Sequence, residues 1–319
     1  MSSALSLRSR PSGGEPQPPS EAKLVTLLAP RRILFLVHGY NNDESAADEA
    51  FAAFEGIQRQ LAGLPGRSDY ALGWEVMRVY WAGDADWSIA SPLFYMGAVS
   101  NARTTGGLLA GIIERLGGGG DTVGAAGNLE EVAFVAHSLG CRVVMETLLA
   151  MRRARCRTRV SRVAFFAAAV PTFKLEQNSD GGLGWAAESI GDEWLSLFSE
   201  HDLVLGGTFP LGQTLAWGDE GVLPCALGFA LWASASTTAV LSQTENRGAG
   251  HGDYWGWKKK TRGRNGHFAG QMARATLRLE PATAARPIEE RTTVVRSLEA
   301  REIAARAQEA RRFEHYYAY

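Results

Sequence analysis

The chain of 319 residues is long enough to bury one large hydrophobic core or two modest ones, and its 45% hydrophobic and 21% charged residues are ordinary for a globular protein. A formal net charge of −1 at pH 7 argues against a dedicated nucleic-acid-binding protein. The three cysteines form no CxxC pair, so neither a disulfide framework nor a zinc site is suggested, and we expect reduced thiols and a cytoplasmic protein.

The two stretches that bear on targeting and membranes are the N-terminus and residues 221–244. Residues 1–22 are rich in Ser, Pro and Gly, and the absence of a continuous apolar run favours a disordered leader over a signal peptide. Residues 221–244 carry no charge and are long enough to span a bilayer, but Pro224, Gly228 and a Ser/Thr-rich half dilute their hydrophobicity. We therefore predict no membrane span and a buried strand with a flanking loop.

Apolar runs and helically spaced apolar residues alternate through the middle of the chain. The predicted strands are 24–28, 31–37, 73–81, 132–136, 161–167, 193–198 and one within 233–244. The predicted helices are 46–61, 91–116, 142–153, 183–190 and 265–279. This alternation predicts an α/β domain over residues 23–280, with a mostly parallel central sheet and helices on both faces. Ligands of such sheets bind at the carboxyl ends of the strands.

The composition changes after this domain. Residues 281–319 are rich in Ala, Glu and Arg, with helically spaced Val294, Val295, Leu298 and Ile303. The pattern predicts a C-terminal helical extension. Two interpretations stay open: a solvated helix packed on the domain, or a helix that forms a homo-oligomer or docks a partner.

The segment Glu131–Cys141 (EVAFVAHSLGC) passes from an apolar run to a helix through a turn with a serine at its tip. This is the small-x-Ser-x-Gly form of the nucleophile elbow, a turn so tight that only Gly or Ala fits two residues from the serine on either side. Ala136 and Gly140 meet that requirement, so we predict Ser138 as a catalytic nucleophile. A strand that simply ends in a small-residue turn shows the same pattern, so the assignment depends on partners elsewhere in the chain.

A serine nucleophile requires a base to take its proton, and a histidine base requires a carboxylate to hold its tautomer. In folds with this elbow the chain order is Ser, then acid, then His. Asp202, four residues beyond the apolar strand that ends at Phe198, is the preferred acid. Glu200 and Asp192 are weaker candidates because they lie earlier or before that strand.

Two histidines lie where the base is expected. His251 is in a Gly-Ala-Gly-His-Gly loop after the last predicted strand, and the glycines allow the loop to bend over the serine. His267 lies where the last helix starts and is the alternative base. We prefer His251. The remaining histidines are set aside because of their positions: His38, His137, His201 and His315.

The tetrahedral intermediate of acyl transfer needs two N–H donors, the oxyanion hole. The backbone N–H of Leu139, after the serine, is one candidate. The other is the backbone N–H of Tyr40, which follows His-Gly at the end of the strand 31–37. His38 is predicted to be a structural hydrogen-bonding residue beneath that loop.

Together, the segments LVHGYN (residues 36–41) and AHSLG (residues 136–140) resemble those of the α/β-hydrolase superfamily. The HGYNN, HSLGCRVV and SEHDLVL segments are similar to those of a group of bacterial serine hydrolases of unassigned substrate, and the AHSxG elbow is similar to that of Bacillus-type lipases. The resemblance covers about residues 24–280. It implies a carboxylic ester hydrolase or related acyl-transfer enzyme with a small-molecule ester as substrate and with no metal or cofactor. Acyl-chain length and the presence of a lid are not implied.

The sequence offers two sets of residues for the substrate side. The first consists of aromatic side chains that line an acyl pocket, form a cap or pack in the core: Trp81, Trp87, Phe94, Tyr95, Trp217, Phe229 and Trp232. The second is a basic run over residues 258–264, which is either a solvated loop or a site that favours an anionic substrate.

Two functions from different classes are compatible with these features. The first is a serine hydrolase that uses Ser138, His251 and Asp202. The second is a non-catalytic protein that keeps the same fold and binds a partner through its C-terminal helix. The presence of all three side chains in the required order favours the enzyme, because a binding protein does not need them.

Overall fold

The computed structural model is built around one parallel sheet. It describes residues 2–25, 27, 30–63, 71, 73–83, 92–118, 127–178, 182–215, 220–232, 241–256 and 264–279. Within these ranges the strands are β1 (Ser3–Leu7), β2 (Arg32–Val37), β3 (Glu75–Trp81), β4 (Glu131–His137), β5 (Arg159–Phe166), β6 (Glu193–Phe198) and β7 (Leu241–Glu245). Their order across the sheet is β1-β3-β2-β4-β5-β6-β7, and every adjacent pair is parallel. The predicted α/β class is confirmed.

Helices cover both faces of the sheet. The described helices are α1 (Glu21–Val25), α2 (Glu44–Leu61), α3 (Pro92–Leu116), α4 (Leu139–Arg153), α5 (Thr172–Leu175), α6 (Gly184–Glu188), α7 (Phe209–Leu215) and α8 (Arg264–Leu277), with a π-helical turn at Val204–Thr208. α3 packs on α4, and α2 packs on α8. With the right-handed crossovers that are usual in parallel sheets, this strand order puts α3 and α4 on one face and α2 on the other. The central strands β2 and β4 are therefore buried on both faces, which explains their unbroken apolar sequences.

The prediction of a disordered leader over residues 1–22 is wrong. Ser3–Leu7 is an edge strand that pairs with β3, and the side chains of Leu5 and Leu7 are fully buried. The chain then turns back, with an antiparallel bridge between Arg8 and Pro16. Two apolar side chains two residues apart are enough to bury one face of a short strand, and the Pro-rich composition that follows concealed this signal.

The first predicted strand and the predicted domain boundary also change. The sequence predicts a strand over residues 24–28, but residues 24 and 25 belong to the helix Glu21–Val25, and residues 26 and 28 lie outside the described residues. A short apolar run does not distinguish a strand from a buried helical turn. The compact unit extends over Met1–Leu279 instead of beginning at residue 23. The predicted C-terminal helix, over residues 281–319, lies outside the described residues.

The connection from β6 to β7 carries an apolar surface. Among the described residues, all the exposed large hydrophobic side chains lie in it: Leu203, Val204, Leu211, Leu215, Val222, Leu223 and Leu231. The connection presents these uncharged apolar groups next to Asp202, at the carboxyl edge of the sheet.

The sequence predicts a buried strand in the same region. The described strand, β7, is a half-buried edge strand. No described helix is both long enough and apolar enough to cross a bilayer.

The same connection is attached to the helices by a buried ionic cluster. Glu220 accepts two hydrogen bonds of 3.0 Å from the guanidinium of Arg142, which is fully buried on α4. Lys174 Nζ lies 3.4 Å from Glu220 Oε1, Arg103 of α3 binds the same carboxylate, and Arg142 Nε lies 2.7 Å from Glu146 Oε1. Burial alone would raise the pKa of Glu220, but the surrounding cations, Arg142 first, lower it below its ordinary value.

We expect Glu220→Gln to lower the free energy of unfolding by about 3 kcal/mol at pH 7, because it leaves buried cations without their counter-charge. The exposed carboxylate of Glu188, 3.0 Å from Arg152, is a matched control: Glu188→Gln should cost less than ~1 kcal/mol. Urea unfolding measures both. The pKa of Glu220 is lower in the folded state than its ordinary value of 4.5, so its ionised carboxylate stabilises the fold at neutral pH and this stabilisation declines as the pH falls below 4.5. The unfolding free energies of the wild-type protein and of Glu220→Gln should therefore converge in acid. If both substitutions lowered the free energy of unfolding by the same amount, Glu220 would not be the counter-charge of a buried ionic cluster.

Candidate active site

Ser138 occupies a strained turn between β4 and α4. Its backbone has φ 52° and ψ −127°, a conformation that residues with a side chain rarely adopt. The turn brings α4 so close to the end of β2 that a Cβ on Gly140 would overlap the carbonyl oxygen of His38 and lie 2.9 Å from that of Val37. Ser138 N donates to Phe166 O at 2.9 Å, which anchors the turn to β5. The hydroxyl therefore projects at the carboxyl end of the sheet.

A chain of hydrogen bonds leads from this hydroxyl to a buried carboxylate. His251 Nε2 lies 2.8 Å from Ser138 Oγ, and His251 Nδ1 lies 2.8 Å from Asp202 Oδ2. The Asp202 side chain is fully buried, whereas the His251 side chain is about one-fifth exposed. Of the two histidines considered as the base, the structure brings His251 to Ser138; His267 lies in the first turn of α8.

The carboxylate of Asp202 is held by backbone groups. Its Oδ1 accepts hydrogen bonds from the N–H groups of Val204 at 3.1 Å and Leu205 at 3.0 Å. These bonds leave Oδ2 directed at His251. The competing acids lie elsewhere: Glu200 is exposed in the preceding turn, and Asp192, before β6, pairs with Arg162.

Aromatic packing fixes the loop that carries His251. Trp255 packs edge-to-face on Phe166, with ring centroids 5.6 Å apart, and Tyr254 stacks on the same ring at 6.1 Å. Burial, and then the negative charge of Asp202, raises the pKa of Tyr254 well above its ordinary value, so that its hydroxyl stays neutral beside the site. His251 is thus presented by a loop that is part of the core.

On the other side of the serine lies the loop that follows β2. His38 is fully buried; its Nδ1 donates to Gly39 O at 2.8 Å, and its Nε2 accepts from Trp81 N–H at 3.1 Å. Both ring nitrogens are therefore committed to the backbone, which confirms the predicted structural role of His38. A Cβ on Gly39 would lie 2.9 Å from Ser138 Cβ, so this loop packs directly on the serine.

The backbone geometry orients each of the two candidate oxyanion donors, the N–H groups of Tyr40 and Leu139. In a trans peptide the N–H of one residue points opposite to the preceding C=O, so the bond from His38 to Gly39 O directs the N–H of Tyr40 away from the His38 ring. Leu139 is the first residue of α4, where N–H groups have no intrahelical partner and the helix dipole favours negative charge.

One contact was not anticipated. His137, set aside as a base because it adjoins the serine, places its Nε2 2.7 Å from the backbone oxygen of His251. Only the fold reveals this contact, since the two residues are 114 positions apart in the sequence.

The predicted substrate residues have mixed outcomes. Trp81 is core: it is fully buried, and its indole N–H donates to His38 O at 2.8 Å. Phe229 and Trp232 are partly buried against the core. Phe94 and Tyr95 belong to the first turn of α3. The remaining aromatic residues and most of the basic run lie outside the described residues: Trp87, Trp217 and 258–263. Among the residues that are described, no group of three or more His, Cys, Asp or Glu side chains is placed to hold a metal ion.

Comparisons with known proteins return structures only. No family model and no curated protein match the sequence. Similar solved structures include a Pyrobaculum calidifontis esterase, 12% identical over 78% of this chain and 76% of that chain, with a TM-score of 0.39. The lin2722 gene product of Listeria innocua is 10% identical over 77% of this chain and 94% of that chain, with a TM-score of 0.42. The carboxylesterase CesB (YbfK) of Bacillus subtilis is 14% identical over 82% of this chain and 85% of that chain, with a TM-score of 0.35.

The fold assignment follows from the chain's own features. A parallel sheet carries a serine on a left-handed turn between a central strand and its helix, at the edge where the other strands end. The chain has an α/β-hydrolase fold.

We expect Gly140→Ala to lower the free energy of unfolding by about 3 kcal/mol or more, because the added Cβ overlaps backbone that cannot move away. Gly111→Ala is the matched control: an added Cβ at Gly111, within α3, meets no atom within 4 Å, and alanine should stabilise the helix by about 0.5–1 kcal/mol. Urea unfolding of both variants checks this. A neutral effect at Gly140 would show that the turn tolerates a side chain.

Proposed function

We propose that the protein is a serine hydrolase that cleaves a carboxylic ester through an acyl-enzyme. The observation that carries the proposal is the continuous hydrogen-bond chain from Ser138 Oγ through His251 to Asp202, with 2.8 Å at each step. A serine, an imidazole and a buried carboxylate in this arrangement are the parts that nucleophilic acyl transfer requires.

In the acylation step, Ser138 Oγ attacks the carbonyl carbon of the ester while His251 Nε2 takes its proton. The developing oxyanion is stabilised by the backbone N–H groups of Leu139 and Tyr40. The tetrahedral intermediate then collapses: the bond from carbon to the alkoxy oxygen breaks, His251 gives its proton to that oxygen, and the alcohol leaves.

In the deacylation step, water replaces the alcohol. His251 takes a proton from the water as it attacks the acyl carbon, and the bond from carbon to Ser138 Oγ breaks. The proton returns to Oγ, and the carboxylic acid is released. Asp202 holds the tautomer that leaves His251 Nε2 free to accept, and it stabilises the imidazolium.

The apolar connection between β6 and β7 supports an uncharged substrate. Leu203, directly after Asp202, has 85% of its surface exposed, and Val222 has 81%. Apolar surface beside the carboxyl edge favours esters with a hydrocarbon part over strongly charged ones. We place thioesters and amides second; for amides the reason is that their poorer leaving group must be protonated before it departs.

A fluorescent fluorophosphonate, which reacts with activated serines, is expected to label the wild-type protein and not Ser138→Ala. His251→Ala should lose most of the labelling, whereas His267→Ala should keep it, because His251 Nε2 lies 2.8 Å from Ser138 Oγ and His267 belongs to the first turn of α8. In-gel fluorescence measures all four proteins. Labelling that survives in His251→Ala and disappears in His267→Ala would overturn the choice of base. A folded wild-type protein that is not labelled would refute the hydrolase.

Asp202→Asn tests the acid. An amide in this position favours the opposite tautomer of His251, so we expect kcat for p-nitrophenyl acetate to fall about 10³- to 10⁴-fold. Glu200→Gln, at the exposed carboxylate two residues earlier, is the control and should stay within about twofold. If Asp202→Asn kept more than a tenth of the wild-type kcat, the acid would have to be sought elsewhere.

A further inference from the structure

The His137 imidazole lies between the two loops that flank the serine. On one side its Nε2 is 2.7 Å from the carbonyl oxygen of His251, and the two imidazole rings are 4.9 Å apart. On the other side Gly39 packs so closely that an added Cβ would lie 2.8 Å from His137 Nδ1. His137 is 94% buried, with 6% of its surface exposed, and it ends β4 immediately before Ser138. One side chain therefore contacts the base loop, the loop after β2 and the nucleophile turn.

The geometry also determines where the proton of this imidazole lies. A carbonyl oxygen only accepts hydrogen bonds, so a contact of 2.7 Å to His251 O requires a hydrogen on His137 Nε2. The bond is to the main chain of the base and not to its ring. It therefore leaves both ring nitrogens of His251 available for Ser138 and Asp202.

The position of the base depends on this bond for a simple reason. The side-chain bonds to Ser138 and Asp202 set the rotation of the His251 ring, but the distance of the ring from the serine is set by its backbone. The packing of Tyr254 and Trp255 on Phe166 holds the far end of the loop. Its near end is attached to β6 through Asn246 N–H and Phe198 O at 2.8 Å, and to α8 through the Asn246 side chain and Asn265 O at 3.2 Å. The bond from His137 adds a direct attachment to the strand that carries the nucleophile.

We propose that His137 is a positioning residue that holds the backbone of His251 at the distance from which its imidazole reaches Ser138. The proposal rests on the proposed hydrolase function for its kinetic consequences, but its structural content is independent of that function. In this role His137 takes part neither in substrate binding nor in proton transfer. It acts through the main chain of the base.

Two substitutions separate the hydrogen bond from the shape of the side chain. His137→Phe keeps a planar ring and loses the donor; His137→Gln loses the ring and keeps an N–H donor at about the position of Nε2. We expect kcat for p-nitrophenyl acetate to fall roughly 10- to 100-fold in His137→Phe, with KM within about twofold, because the substrate still binds but the base is displaced. His137→Gln should recover most of kcat. Thermal unfolding of each variant establishes that it is folded.

The reverse order, with Phe active and Gln impaired, would show that His137 acts by filling space, and it would overturn the proposal. So would equal activity of both variants, or a loss expressed mainly in KM.

A second measurement needs neither a substitution nor activity. In the ¹⁵N-histidine-labelled wild-type protein, NMR should show a hydrogen on His137 Nε2 that is coupled across a hydrogen bond to a carbonyl group. A ring with its hydrogen on Nδ1 alone has no donor for His251 O, and this result would overturn the proposal even if neither variant folded. A wild-type protein that fails to react with the fluorophosphonate while showing the Nε2–H form would refute the hydrolase function and leave the positioning contact standing.

Discussion

The structure depends on one steric constraint, the left-handed turn at Ser138. A residue with a side chain at φ 52° is tolerated only because β4 and α4 hold it from both sides. This turn requires glycine at two positions. A Cβ at Gly140 would overlap the backbone of His38, and a Cβ at Gly39 would clash with Ser138. The close approach of these three backbone segments brings the N–H of Leu139, the loop after β2 and the serine hydroxyl to one place.

The parallel sheet brings the rest of the site to the same place. Because parallel strands end at the same edge, β4, β6 and β7 deliver Ser138, Asp202 and His251 together although 113 residues separate the first from the last. Local interactions then fix each group: two backbone N–H donors hold Asp202, and the rings of Tyr254 and Trp255 hold the His251 loop on Phe166. The site is therefore a property of the topology, refined by a few polar contacts.

The contrast between topology and local contacts explains which parts of the fold and the site could be predicted from the sequence. The elbow and the sheet were predictable because steric demands and burial on both faces leave strong local patterns, and the chain order narrowed the acid and the base to a few residues. Short peripheral elements leave weaker patterns: β1 buries only two leucines ahead of a Pro-rich segment, and the apolar run at α1 is too short to distinguish a strand from a helical turn. The contact between His137 and His251 O leaves no pattern at all, because a side-chain to backbone bond across 114 positions constrains only one of its two residue types.

A crystal structure of the protein after reaction with a small alkyl phosphonate tests the central claim most directly, because the adduct imitates the tetrahedral intermediate. We expect a covalent bond from phosphorus to Ser138 Oγ and a phosphoryl oxygen about 2.7–3.1 Å from the backbone nitrogens of both Leu139 and Tyr40, with His251 Nε2 still within hydrogen-bond reach of Ser138 Oγ. An adduct on a different residue, or a phosphoryl oxygen that neither N–H contacts, would contradict it.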